Sequence, residues 1–283
     1  MKLGVAPHRL WPRSVADLDG VLEAARTAER LGFDHVIAGS HVLATEVGLS
    51  HDPLVLLSAV AGATSRIRIA TSVLILPLHN PVLLAHQAAT LDRLSGGRFS
   101  LGVGTGWDAG EFAAVGVPFP GRGRLVDEQL VVIGELWRGE GAVRLGVPPL
   151  RPSGPPVWVG GQGDAALRRA LRFGDAWHGS GVDPAGLAAV RGRLADLGEE
   201  TGRDPATLEL TAGAFLVPPG HTPPAGAPGT PLGGPAASAE SIRHALGELG
   251  EAGLSSCSLW FPVAAEALPD ALAWTAEELL PGA

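Results

Sequence analysis

Cysteine, lysine and tyrosine are almost missing from this 283-residue chain, and each shortage excludes a kind of chemistry. Cys257 is the only cysteine, so the chain forms no internal disulfide, and no Cys/His cluster has metal-ligand spacing. We therefore predict no metal site. Lys2 is the only lysine and tyrosine is absent, so a tyrosine hydroxyl is unavailable and, apart from Lys2, so is a buried catalytic lysine.

Long apolar runs and excess positive charge are lacking as well. No apolar run reaches the roughly 18 residues that a membrane-spanning helix needs. The net charge of -8 argues against nucleic acid as a main partner. The first residues, MKLGVAP, lack the charged and apolar regions of a signal peptide, so the expected compartment is the cytoplasm. Neither a GxSxG nor a Walker sequence occurs.

Short apolar segments alternate with helical patterns along the chain, a rhythm typical of a parallel sheet with crossover helices. The predicted strands span 2–6, 33–38, 67–76, 98–103, 156–159, 175–178, 208–217 and 255–261. The predicted helices span 17–31, 53–63, 81–94, 125–137, 165–173, 187–201, 239–252 and 268–280. Asp52 is placed to cap the second helix, with Pro53 at its first position.

This pattern predicts an α/β fold, a single (β/α)8 TIM-like barrel over residues 1–283. Its insertions follow the fourth and seventh strands, where the Gly/Pro-rich segments 139–156 and 218–235 are predicted to be irregular. A doubly wound open sheet is the alternative. That fold normally carries a dinucleotide fingerprint near the first strand, and VAPHRLW is not one.

The stretch SGGRFSLGVGTGWDAGE, residues 95–111, is the centre of the functional prediction. A strand runs into glycines at 102, 104 and 106. Either something approaches that backbone closely or the chain turns sharply there. Asp108 and Glu111 follow, and we interpret both as charges at a helix start rather than catalytic acids.

In a barrel, the C-terminal ends of the strands carry the chemistry. Here these ends are rich in glycine and no carboxylate pair is evident, which suits a large flat ligand with a phosphate tail. Gly160 to Asp164 is the candidate anion site, because free backbone N–H groups at a helix start attract phosphate and Arg168 and Arg169 lie one turn further on. Asp164 competes for the same N–H groups. The alternative to an anion site is an ordinary strand-to-helix turn that binds no ligand.

Two segments resemble the luciferase-like monooxygenase superfamily, and most of all its branch of coenzyme F420-dependent oxidoreductases. The longer is DPLVLLSAVAGATSRIRIATSVLILPLHNPVLLAHQAATLDRLSGGRFSLGVGTGW at 52–107, and the second is PPVWVGGQGDAALRRALRFGDAWH at 155–178. The resemblance implies a TIM-like barrel that holds a flavin or deazaflavin ring at its mouth. The cofactor implied is F420, with FMN as the alternative, and the assembly implied is a homodimer.

Residue roles carry over from the family by position. Ser72-Val73 matches a cis peptide bond behind the ring, and the glycines at 160 and 161 match the cofactor-phosphate loop. His41 matches a histidine that faces the ring, usually after an Asp or Glu, whereas here Ser40 precedes it. Trp107 stands where some relatives have a catalytic Glu. The full set of predicted cofactor-binding residues is Ser40, His41, Ser72, Val73, Gly104, Thr105, Gly106, Gly160, Gly161, Gln162 and Gly163.

Histidine has the pKa range for proton transfer near neutral pH, so His41 is the predicted catalytic residue. The alternative is a histidine that only hydrogen-bonds a cofactor carbonyl. His8, Trp107 and His178 are the predicted substrate-binding residues. The alternatives are a histidine at the rim for His8 and local core packing for Trp107.

The predicted function is hydride transfer between F420 and a C=C, C=N or C=O group of a small organic substrate, in either direction. A two-component monooxygenase that uses FMNH2 and oxygen is the first alternative. A flavin-binding relative without catalysis is the second. It would be expected to lose the glycine-rich phosphate turn, which this chain keeps.

Overall fold

The computed structural model describes residues 1–8, 12–46, 48–140, 143–223 and 229–280. Its sheet is a closed barrel of parallel strands surrounded by helices. The strands are β1 (Lys2–Val5), β2 (His35–Ala38), β3 (Arg68–Thr71), β4 (Leu74–Ile75), β5 (Phe99–Gly104), β6 (Val157–Gly160), β7 (Ala176–Ser180), β8 (Glu209–Phe215) and β9 (Ser256–Trp260). The eight-stranded TIM-like barrel is confirmed, with β4 as one extra short strand.

The closure of the sheet excludes the doubly wound alternative. The order runs from β3 through β2, β1, β9, β8, β7, β6 and β5 to β4, and β3 also pairs with β5. That last pairing aligns Ile69 with Phe99 and Ala70 with Ser100. An open sheet has two free edges, whereas here the strands form a ring.

The helices α1 (Val21–Leu31), α2 (Pro53–Ala63), α3 (Pro81–Leu94), α4 (Ala109–Val115), α5 (Arg122–Arg138), α6 (Asp164–Phe173), α7 (Pro184–Thr201), α8 (Ala239–Glu251) and α9 (Leu268–Leu279) surround the ring. Asp52 Oδ1 accepts a hydrogen bond of 2.9 Å from Val55 N, which confirms the predicted cap of α2. Among the described helices, none has the length and apolar character of a membrane span.

Strand alternation divides the core into two clusters. Successive side chains of a strand point to opposite faces, so one set lies inside the barrel and the other under the helices. The inner cluster is small and contains Ala6, Ile37, Ala70, Trp158 and Ala176. The outer cluster holds most of the buried apolar residues, including Val36, Ile69, Val103, Trp177 and Leu259.

Two elements begin or end elsewhere than predicted by more than about three residues, and one helix was not predicted. The strand predicted over 67–76 is two strands, β3 and β4, followed by a 3-10 turn at Leu76–Leu78. The helix predicted from residue 17 begins at Val21, because a 3-10 turn at Val15–Leu18 and Gly20 in a left-handed conformation precede it. The short helix α4 was not predicted. The segment predicted as a loop over 218–235 includes residues 224–228, which lie outside the described residues.

Candidate active site

A cavity of about 720 Å³ opens at the C-terminal ends of the strands. This volume lies in the range typical of small-molecule and cofactor sites. Every residue predicted to bind cofactor or substrate lines it, with the exception of Gly163. The predicted residues that line the cavity are His8, Ser40, His41, Ser72, Val73, Gly104, Thr105, Gly106, Trp107, Gly160, Gly161, Gln162 and His178.

His41 is held by a buried carboxylate. Glu111 Oε2 lies 3.0 Å from His41 Nδ1, and the Glu111 side chain is 0 % exposed. Glu111 Oε1 accepts hydrogen bonds from Val42 N at 2.5 Å and Leu43 N at 3.3 Å. A carboxylate only accepts, so the His41 contact has Nδ1–H as its donor. The ring nitrogen that Glu111 does not engage is Nε2.

This contact corrects the prediction for Glu111. Asp108 does start α4, as predicted, because its Oδ1 accepts a hydrogen bond from Gly110 N at 2.7 Å. Glu111 lies in the first turn of the same helix but is fully buried rather than a solvated helix-start charge. Although Ser40 stands where relatives have an acid, His41 has a carboxylate partner from a different strand–helix unit.

Trp107 stands beside His41 at the rim of the cavity. The two rings make an edge-to-face contact with centroids 5.4 Å apart, and Trp107 remains 50 % exposed. Such an exposed indole offers apolar surface to a ligand and restricts the His41 ring at the same time.

The Ser72–Val73 peptide bond is cis, as the resemblance predicted. The Val73 side chain extends into space that two glycines leave open, Gly104 and Gly160. A Cβ on Gly104 would lie 2.7 Å from Val73 Cγ2, and one on Gly160 would lie 3.2 Å from Val73 Cγ1. A Cβ on Gly102 would lie 1.9 Å from the Thr71 carbonyl oxygen. The close approach predicted at these glycines is therefore made, at least in part, by the chain itself.

His178 lies beneath Ser72 and is 6 % exposed. Its Nε2 is 2.8 Å from Ser72 Oγ and its Nδ1 is 2.8 Å from Thr211 Oγ1. The Trp158 ring stacks on it, with centroids 5.3 Å apart and an interplanar angle of 24°. Burial, with a smaller contribution from His35, lowers the pKa of His178 to about 3. His178 is therefore a neutral imidazole at physiological pH.

Two aromatic residues that line the cavity, Trp260 and Phe215, were missed by the sequence analysis. Trp260 at the end of β9 contacts the His8 ring edge-to-face at 5.8 Å, and Phe215 at the end of β8 lines the same side. Leu49 and Ser50, from the segment after β2, also line the cavity. Strand-end position was the available signal for Trp260 and Phe215, since both lie within two residues of the ends of the strands predicted over 208–217 and 255–261.

The glycine turn before α6 has a different charge environment from the one predicted. Arg169 is buried and paired with Asp127 at 2.6 Å, and Arg168 bonds Glu200 at 3.0 Å. Asp164 pairs with Arg193 at 2.6 Å. The two arginines expected to assist an anion are thus neutralised by carboxylates. Among the described residues that line the cavity, none is Asp, Glu, Lys or Arg.

A comparison with known protein families identifies the family of this chain. Residues 3–220 match the model of the luciferase-like monooxygenase family. The chain belongs to this family. Uncharacterised protein Rv0940c of Mycobacterium tuberculosis is 38% identical over 163 residues, which are 54% of this chain and 56% of that protein. The chain thus aligns with only about half the length of this curated relative of the family.

Two solved structures of the same architecture bind different cofactors. An F420-dependent secondary alcohol dehydrogenase, in complex with an F420-acetone adduct, superposes with a TM-score of 0.80 and 19% identity, covering 98% of both chains. The oxygenating constituent of 3,6-diketocamphane monooxygenase from Pseudomonas putida, in complex with FMN, superposes with a TM-score of 0.79 and 16% identity, covering 100% of this chain and 98% of the other. At these identities the likeness concerns the fold alone.

Proposed function

We propose that the chain is an F420-dependent oxidoreductase of the luciferase-like family that acts on a small, organic C=C, C=N or C=O substrate or its reduced form. The observation that carries the proposal is His41, held by buried Glu111 at the mouth of a glycine-lined cavity. An imidazole fixed in one tautomer beside such a cavity suits proton transfer.

The residues around the cavity fit a flat heterocycle. The cavity is about 720 Å³, and glycines 39, 104, 160 and 213 keep part of its lining free of side chains. When bound, F420 supplies hydride donation or acceptance at its ring. Ser72, Val73 and Gly104 to Gly106 would hold the ring. Gly160 to Gly163 would offer backbone N–H groups to the phosphate, without help from Arg168 or Arg169.

In this proposal His41 is the catalytic residue. Glu111 holds the proton on Nδ1, so Nε2 is the atom that accepts a proton from the substrate or, once protonated, returns one. His8 and Trp107 line the substrate side, and Trp260 and Phe215 exclude water from it. Both ring nitrogens of His178 are bonded to Ser72 and Thr211, so His178 supports Ser72 and does not contact the substrate. The aromatic side chains of Trp107, Trp260 and Phe215 favour a substrate with apolar surface.

FMN with oxygen is the second candidate, because the FMN-bound structure superposes as well as the F420-bound one. Fluorescence titration of purified protein with F420 and FMN separates the two, followed by anaerobic turnover with F420H2 and aerobic turnover with FMNH2. We expect F420 to bind more tightly and anaerobic hydride transfer to proceed. Preferential FMN binding with oxygen-dependent turnover would overturn the assignment in favour of the monooxygenase.

We further propose a cytoplasmic homodimer. The exposed face of α2 consists of Val55, Ser58, Ala59 and Gly62, and the first turn of the neighbouring helix α3 exposes Val82 and Leu83. Val55 is 71% and Leu83 64% exposed. A second copy can cover such a patch with its own identical patch. Val55→Glu should convert dimer to monomer in light scattering, whereas Val115→Glu on α4 should not. A wild-type monomer would end the dimer proposal.

A further inference from the structure

Ser72, His178 and Thr211 form a row of hydrogen bonds that leads from the cavity into the barrel. Ser72 lines the cavity and is partly exposed. His178 and Thr211 are aligned partners on β7 and β8, and both are buried. Each contact in the row is 2.8 Å, which is a full hydrogen-bond distance on both sides of the imidazole.

The inner end of the row fixes the direction of the bonds. The Thr211 hydroxyl donates its single hydrogen to the carbonyl oxygen of Trp177 at 2.9 Å. Its oxygen is then free only to accept, so His178 Nδ1 carries a hydrogen and donates to it. A neutral imidazole has one N–H, so His178 Nε2 carries a lone pair. The stacked Trp158 ring holds the imidazole in this plane.

We propose that Ser72 donates its hydroxyl hydrogen to His178 Nε2 and therefore faces the cavity as a hydrogen-bond acceptor, which binds an N–H group of the cofactor ring. The proposal rests on the proposed function for the identity of the ligand, since flavin and deazaflavin rings both carry an imide N–H. His178 and Thr211 are positioning residues in this scheme. They act on the ligand only through the direction of the Ser72 hydroxyl.

The row also predicts what happens when its inner end is removed. In Thr211→Val, Nδ1 loses its acceptor, so the tautomer with hydrogen on Nε2 becomes favourable. That tautomer donates to Ser72, and Ser72 then directs its own hydrogen into the cavity. A hydroxyl hydrogen opposite a ring N–H is repulsive. Thr211→Ser keeps the hydroxyl and should keep the original direction.

Nitrogen-15 NMR of histidine-labelled protein reads the tautomer directly, with His178→Gln used to assign the signal. In the ligand-free wild type and in Thr211→Ser we expect hydrogen on Nδ1, and in Thr211→Val on Nε2. Titrations with F420 and with FMN measure affinity in the same variants and in Ser72→Ala. We expect Thr211→Val and Ser72→Ala to weaken binding of the preferred cofactor about three- to tenfold, as for one lost hydrogen bond, and Thr211→Ser to leave it unchanged.

The results separate this inference from the proposed function. Hydrogen on Nε2 in the wild type would overturn the inference whether or not any cofactor binds. Equal cofactor affinity in the wild type, Thr211→Val and Ser72→Ala would also overturn it, although the chain would still be a cofactor-binding enzyme. Failure of both cofactors to bind wild type, with hydrogen on Nδ1, would remove the proposed function and with it the ligand assigned to Ser72. Thermal melts of each variant exclude global unfolding as the cause.

Discussion

Replacement of Glu111 by glutamine tests the contact from which the proposed catalytic histidine takes its orientation. The side chain keeps its size, but one carboxylate oxygen becomes an amide nitrogen. The remaining oxygen can still accept from Val42 N and Leu43 N, as Oε1 does in the wild type. The amide nitrogen then faces His41 Nδ1, where it can only donate. The His41 proton is therefore expected to move from Nδ1 to Nε2.

The size of the effect follows from the burial of the group. Glu111 is 0 % exposed, so the lost bond to His41 is not replaced by water. A hydrogen bond to a charged group contributes about 1.5–3 kcal/mol to the free energy of unfolding. For a domain of this size each kcal/mol lowers Tm by about 2–4 °C, so the expected fall is roughly 3–12 °C. Glu111→Ala leaves three donors without this acceptor and should cost more than about 3 kcal/mol.

Circular dichroism melts and urea unfolding measure the stability, and nitrogen-15 NMR of His41 measures the tautomer. Glu251→Gln, at an exposed position on α8, is the matched control and should change Tm by less than 1–2 °C, the limit for a surface substitution of up to about 0.5 kcal/mol. If Glu111→Gln melts with the wild type and His41 keeps its proton on Nδ1, then Glu111 does not orient His41 and the geometric basis of the catalytic assignment is lost.

Three further outcomes can be measured on the same protein. His41→Ala should slow turnover with F420 by about 100-fold or more, as for loss of a general acid–base group, while its Kd for F420 changes much less; a larger effect on Kd would make it a ligand-holding residue only. Gly161→Glu should weaken cofactor binding by setting a carboxylate against phosphate. Gly161→Ala is its control, because φ at Gly161 is +120° and a Cβ of any residue there would lie 2.8 Å from Ala166 Cβ. Equal affinity in wild type and Gly161→Glu would remove this turn from the site. Burial alone would raise the pKa of Glu29, but hydrogen bonds from the backbone N–H groups of Ile67, Arg66 and Ser65 outweigh it and lower the pKa from 4.5 to about 2. Because the folded pKa lies below the unfolded value, Glu29 contributes its stability in full above pH 4.5 and loses it as the pH falls towards 2. After allowance for solvent screening, Glu29→Gln should cost about 1 kcal/mol at pH 7. In urea unfolding this difference in stability should narrow as the pH falls from 4.5 towards about 2; a constant difference would contradict this pH linkage.

The fold was predictable because its signals are local and repeated. The apolar segments of strands such as 98–103 and the helix starts such as Asp52-Pro53 can be identified without knowledge of their neighbours. Closure of the ring was predicted only from the number of units. The break between β3 and β4 could not be identified by periodicity, since 67–76 is rich in apolar and β-branched residues on both sides of the break.

The site was predictable where position along a strand determines position in space. Gly104 and Gly160 end strands, and Ser72 and His41 follow the ends of β3 and β2. Parallel strands of a barrel bring these ends together. The role of Glu111 could not be predicted from its position along a strand. It lies 70 residues from His41 in sequence, on a helix too short to show its own periodicity, and a glutamate in a first helical turn is normally solvated. Only the packing of α4 on the segment after β2 makes it the partner of His41.

The glycines at the mouth of the barrel have two physical causes, and the sequence cannot separate them. At Gly102 the Thr71 carbonyl oxygen would lie 1.9 Å from a Cβ, so the fold itself excludes a side chain. At Gly213 the nearest atom would be Trp260 Nε1 at 3.4 Å, which is a tight but tolerable contact. Gly213 lines the cavity, and a methyl group there would occupy ligand space rather than backbone space. Gly102→Ala should therefore reduce stability, whereas Gly213→Ala should mainly reduce affinity, and melting curves beside cofactor titrations would assign each glycine to the barrel or to its ligand.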